Sequence, residues 1–205
     1  MTKRPNLSTI SLLSLGLTCA ILAACGPRPT STPDQGSIDI ETQEQAVYTA
    51  VFEDLYGEPQ MYVIMSETAA SIQGVEGVDA SLETIESQMT GVDKKTSASF
   101  RDRNEAAFPV PATMDLGLPY VLLTSTEMNQ IFDINTSSWD VFYTRYPNSP
   151  GITTVSRIGF NADFTQALVY TGTMSHWLAG AGFYILLEKS SGEWLVVTKV
   201  MAWIS

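Results

Sequence analysis

Residue types that commonly carry chemistry are scarce in this chain. Its 205 residues include two cysteines and one histidine, His176. A zinc site needs three or four His, Cys or acidic ligands, so one built here would consist mostly of carboxylates, and no metal is expected. No Gly-Lys-Ser/Thr phosphate loop occurs, and no Gly-x-Ser-x-Gly elbow surrounds any serine. No cofactor is expected either. Basic residues number 11 against 22 acids, giving a net charge of −11. Lys94, Lys95, Arg101 and Arg103 are interleaved with acids, so no basic stripe exists to hold a phosphate backbone, and nucleic acid is excluded as a partner. Long apolar runs are missing too. The stretch from Ile10 to Ala24 is interrupted by Ser11, Ser14, Gly16 and Thr18 and falls short of the roughly 20 apolar residues a membrane span needs.

That stretch nevertheless has the parts of a secretory signal. Lys3 and Arg4 precede it, no acid occurs before Asp34, and small residues stand at Ala23 and Ala24. The run Ile21-Leu22-Ala23-Ala24-Cys25, followed by Gly26, resembles the lipobox of bacterial lipoproteins. The resemblance implies that residues 1–24 are removed and that Cys25 becomes an acylated first residue, with membrane lipid as its partner. Each buried CH₂ is worth about 0.8 kcal/mol, and two or three chains make such an anchor effectively permanent. Gly26, where an inner-membrane retention signal would have Asp, favours the outer membrane in a host with two membranes. Cys19 would leave with the signal and Cys25 would be consumed by lipid. Thiol catalysis and disulfides are then excluded from the mature protein, whose charge grows more negative by the loss of Lys3 and Arg4.

Residues 25–37 read as the lipidated cysteine and a flexible linker. Gly26 to Ser37 is rich in Pro, Ser, Thr and Gly, and in extended geometry it would hold the domain ~35 Å off the lipid. Residues 38–205 fit one domain. Within it, Ala46, Val47, Ala50, Val51 and Leu55 recur at helical spacing, predicting a helix over 41–56 with Thr42 and Gln45 as a capping box. Met61–Met65 and Tyr120–Leu123 are short unbroken apolar runs and read as buried strands. Asp79 or Ser81 starts a second helix through Leu82, Ile85 and Met89, and residues 96–107 form a third around Phe100. Thr124 and Glu127 make a capping box into a short helix. Ser138 precedes an aromatic helix face of Trp139, Phe142, Tyr143 and Tyr146.

From Gly151 the period becomes two. Residues 152–160, 166–173, 183–189 and 193–204 read as four strands of a meander, with turns at Asn161–Asp163 and Ser190–Gly192. Helices first and strands last predict an α+β class. N-terminal helices would pack on a curled, mainly antiparallel sheet ending in a four-stranded meander. The arrangement is similar to cone-shaped folds such as the nuclear-transport-factor-2-like superfamily. Tyr146-Pro147, Ser156-Arg-Ile-Gly-Phe-Asn161, Gln166-Ala-Leu-Val-Tyr170, Gly180-Ala-Gly182 and the final Trp-Ile-Ser resemble a group of exported bacterial proteins of unassigned function.

Two functional readings follow. In the first, the domain binds a small molecule or an envelope protein. A helix-on-sheet cone would aim Arg145 and Arg157 into a cavity with Tyr143, Tyr170 and Tyr184, a mix of apolar wall and few polar groups that suits small ligands. In the alternative, it is a cell-envelope hydrolase. His176, in a connection running from Met174 to Ala181 beside Ser175 and Trp177, would act on a nucleophile, or two of Glu53, Asp54, Glu58, Asp140 and Asp163 would act as a carboxylate pair. Gly180-Ala-Gly182 reads as a bend rather than a dinucleotide fingerprint. Asn161-x-Asp163-x-Thr165 reads as an Asx-type turn, because Gln166 and Gly172 stand where a calcium loop requires Gly and Glu.

Overall fold

The structure, a computed structural model, describes residues 39–56, 61–70, 83, 85–133 and 138–205. The signal sequence, Cys25, the linker, Glu58 and the start of the second helix lie outside them. All described residues belong to the unit Ile38–Ser205.

The fold is α+β. Helix α1 (Ile40–Tyr56) leads into strand β1 (Tyr62–Met65). Helix α2 (Lys94–Arg103), strand β2 (Tyr120–Leu123) and helices α3 (Ser125–Ile131) and α4 (Trp139–Arg145) follow. The chain ends in β3 (Ile152–Val155), β4 (Gly159–Phe160), β5 (Gln166–His176), β6 (Ala179–Ser190) and β7 (Glu193–Ile204). These strands form one sheet in the order β2-β1-β3-β5-β6-β7, with β4 pairing β5 alone. The C-terminal meander is present. The sheet is mixed, however, because β1 is parallel to both β2 and β3. The two short apolar runs are unbroken because parallel strands at this end carry helices on both faces.

Alternation sorts the strand residues onto two faces. One face presents Tyr62, Ile64, Val155, Val169, Ile185 and Leu187 to Val47, Tyr48, Val51 and Phe52 of α1. The opposite face is covered in two separate blocks. Over β5, β6 and β7, Leu168, Tyr170, Tyr184, Leu186 and Val200 meet Phe100 of α2 with Ile85 and Met89. Over β1, β2 and β3, Val63, Leu123 and Ile152 meet Ile131, Trp139 and Phe142 of α3 and α4.

Helix ends follow local chemistry. The Thr124–Glu127 capping box is present, with Thr124 Oγ1 accepting from Glu127 N and Glu127 accepting from Thr124 N. Ser138 caps α4 and Asp93 caps α2. Helix α1 departs from expectation. Asp39, not Thr42, closes its first turn by accepting from Glu41 N at 3.1 Å and from Thr42 Oγ1 at 2.6 Å. Its carboxyl is held below the usual carboxylate range mainly by the Thr42 hydroxyl.

Two strand boundaries also differ. The expected strand over 152–160 is broken by a bulge: three residue steps from Ser156 to Gly159 oppose two from Tyr170 to Leu168. Ser156 Oγ takes the place of a ladder acceptor for Tyr170 N at 2.8 Å, and Tyr48 Oη donates to Ser156 O at 2.8 Å. The expected long connection from Met174 to Ala181 is instead strand almost throughout, and only Trp177 and Leu178 turn the hairpin. Gly180 and Gly182 are interior to β6 rather than a bend. A Cβ at Gly182 would run into the Trp203 indole, and one at Gly180 would lie 3.1 Å from it. The glycines make room for a tryptophan on the next strand.

Candidate functional site

The seam between the two helical blocks is a cavity of about 370 Å³. Its floor follows from the pleat. Met65 at the end of β1 and Glu67 just past it, Ile152 and Thr154 on β3, and Tyr170, Gly172 and Met174 on β5 alternate onto this face. Along β5, Tyr170 belongs to one block and Met174 to the other. Gly172 stands between them, and the space a side chain would take there holds the Tyr170 hydroxyl and the Trp203 indole. The walls are Ser125, Met128 and Phe132 from α3 and its end, Trp139 from α4, Trp177 from the hairpin and Trp203 from β7.

The aromatic walls are fixed by their neighbours. Trp203 rests on the glycine strip, 3.1 Å from where a Cβ of Gly172 would lie, and its Nε1 donates to Tyr170 Oη at 2.8 Å. Trp139 packs edge-on to Phe132 and Phe142, with ring centroids at 5.0 and 5.4 Å. It is 3% exposed, and its Nε1 has no hydrogen-bond partner among the described residues. Trp177 leans edge-on over Phe132 and Trp139 while remaining 58% exposed. It therefore stands at the mouth. Glu67 is the only charged residue among the described lining residues, and it is exposed at the rim.

Of the expected site residues only Tyr170 and Tyr184 are brought together. Tyr170 lines the cavity. Tyr184 is fully buried beneath it, against Phe100 and Tyr170. Tyr143 donates to Ser175 O at 2.8 Å behind the Trp139 wall, and burial pushes its hydroxyl above the ordinary tyrosine range. Both arginines turn away. Arg145, in the last turn of α4, pairs with Glu127 at 3.0 Å and lies over the Tyr146 ring. Arg157 sits on the bulge, with its guanidinium 4.4 Å from the Phe108 ring centroid, in a separate groove with Glu44 and Arg103. The two were expected to flank one cavity because they flank α4 and β3 in sequence. The bulge at 156–158 sends Arg157 to the α2 side instead.

His176 ends β5, and its ring stacks on Trp139 at 5.8 Å and 24°. Beside it, Ser175 Oγ donates to Ala179 O. Asp54 on α1 pairs with Lys199, Asp140 opens α4, and Asp163 lies in the β4–β5 turn. None of these, nor Glu53, lines the cavity among the described residues. No group of three metal-binding side chains occurs among the described residues. Asn161 makes the expected Asx turn, accepting from Thr165 N and Gln166 N.

Sequence reasoning missed Trp139, Trp177, Trp203, Glu67 and the methionines as cavity residues. The signal for part of the set was present: Tyr170, Gly172 and Met174 alternate on one strand with a glycine at the centre. The chain matches no protein-family profile, no curated protein and no solved structure.

Proposed function

We propose that this chain is an exported, lipid-anchored bacterial protein whose α+β domain binds a small, largely apolar molecule in this cavity. The anchor rests on the lipobox-like run ending at Cys25. The binding function rests on the cavity. Its 370 Å³ volume falls in the range of small-ligand sites, and its walls are aromatic and methionine side chains with a few polar groups. One observation carries the reading further than volume alone. Trp139 is buried, lines this space and leaves its indole N–H without an acceptor among the described residues. A buried donor left unsatisfied costs roughly 1–3 kcal/mol, and an acceptor on a ligand would remove that cost.

The test uses the tryptophans that line the site. Neopentylbenzene, a compact apolar probe, is expected to shift the intrinsic fluorescence saturably. Thr154→Phe, which fills the floor from a strand position suited to aromatics, is expected to abolish that shift while leaving the melting temperature within a few degrees. Saturable binding that survives Thr154→Phe would place the site elsewhere.

A further inference from the structure

We infer that the ligand of this cavity is a lipophilic cation, an ammonium or quaternary ammonium group on an apolar body; the inference rests on the cavity being a binding site. Apart from the Trp139 indole N–H, which calls for an acceptor elsewhere on the ligand, the aromatic and charged groups of the described lining favour positive charge. Trp139, Trp177, Trp203, Phe132 and Tyr170 present π systems, whose faces attract cations. Met65, Met128 and Met174 add polarizable sulfur. Glu67 supplies the one formal charge, and no lysine, arginine or histidine is among the described lining residues. Glu67 forms no ion pair with any described residue; the salt bridges engage Glu44, Asp54, Asp102 and Glu127. Both arginines lie outside the described lining, Arg145 paired with Glu127 and Arg157 over the Phe108 ring. An anionic ligand would meet a carboxylate and aromatic faces with no compensating cation. A chain of net charge −11 also raises the local concentration of cations.

The geometry assigns the ends of the ligand. Glu67 is exposed just past β1, at the Val155 end of the floor and at the opposite end from Trp177, so the ammonium group sits at that end. The apolar body lies among the aromatic walls, between Trp139 and Trp203. Recognition is by charge and shape, with no bond made or broken.

The experiment compares benzyltrimethylammonium with neopentylbenzene, its neutral carbon isostere, by tryptophan fluorescence on the lipid-free chain. The cation is expected to bind about tenfold more tightly, the scale of a desolvated cation–π contact. Its affinity should fall as salt rises, because a rim carboxylate is screened. Glu67→Gln should weaken the cation severalfold and leave the isostere unchanged. Equal or tighter binding of the isostere overturns the charge assignment and leaves the cavity reading standing. Equal weakening of both probes by Glu67→Gln also overturns it, since Glu67 would then only shape the rim. If neither probe binds, the cavity reading itself falls.

Discussion

At the residue scale, the domain is shaped by side chains that are absent as much as by those present. Gly172 leaves room for the Tyr170 hydroxyl and the Trp203 indole, and Gly180 and Gly182 let Trp203 lie flat on β6. Tyr48 shows the reverse case, a polar group wholly enclosed. Its hydroxyl donates to Ser156 O at the bulge, and burial, the largest cause, holds its proton well above the ordinary tyrosine range. Raised folded-state affinity for the proton means that its contribution to stability is complete below the unfolded value of 10.0 and is lost as pH climbs beyond it. Tyr143 and Tyr146 shift in the same direction. Tyr48→Phe should therefore cost about 1–3 kcal/mol near neutrality, by stranding the Ser156 carbonyl. It should also flatten part of the alkaline loss, which urea unfolding at neutral and alkaline pH would read. An unchanged alkaline slope would mean that Tyr48 ionises without unfolding the chain.

At the element scale, α2 is clamped at both ends by buried amides. At its start, Gln166 Oε1 accepts from Asp93 N at 2.7 Å and Nε2 donates to Gly91 O at 3.0 Å. At its end, Asn104 Nδ2 donates to Phe100 O and Arg157 O, and Oδ1 accepts from Arg157 N at 2.8 Å. Between the clamps, Gly159 lets the Phe100 backbone come close enough to β4 that a Cβ would collide. Asn104→Ala leaves several buried backbone groups unsatisfied and should destabilise by about 2–4 kcal/mol, measurable by denaturant titration. A cost near zero would show that water replaces the clamp.

Elements whose apolar period was internal to one segment were legible in the sequence. The period-3.6 face of α1, the capping box at Thr124 and the run Tyr120–Leu123 came out within a residue or so of their positions. Elements defined by a partner were not legible. Gly180 and Gly182 look like breakers until Trp203, on the next strand, is laid across them. The break in 152–160 depends on Ser156 bonding to Tyr170. The parallel pairing of β1 with β2 and β3 joins residues that only the folded chain brings together.

At the scale of the whole molecule, the expected set of Tyr143, Arg145, Arg157, Tyr170 and Tyr184 shares only Tyr170 with the described lining of the cavity. Tyr170 reaches the cavity because it sits mid-strand on an alternating run. Arg145 and Arg157 were misplaced because sequence proximity to α4 and β3 says nothing of which way the bulge turns. The tryptophans, read as helix face, loop and strand, converge only through the topology. Among the described residues, no helix is long and apolar enough to cross a membrane. The proposed association with the bilayer rests on the lipobox-like run ending at Cys25. Cys25→Ser should yield an unprocessed precursor lacking the lipid mass on its N-terminal peptide, and it should leave the detergent phase on partitioning. Retention in that phase with normal processing would contradict the anchor.

The cavity itself is tested most directly by diffraction from crystals soaked with 1-bromo-4-neopentylbenzene, using the anomalous signal of bromine to locate the probe. One dominant peak is expected in the cavity, enclosed by Trp139, Trp177 and Trp203. A dominant peak in the groove beside Arg157, or no peak at saturating probe, would contradict the proposed binding site.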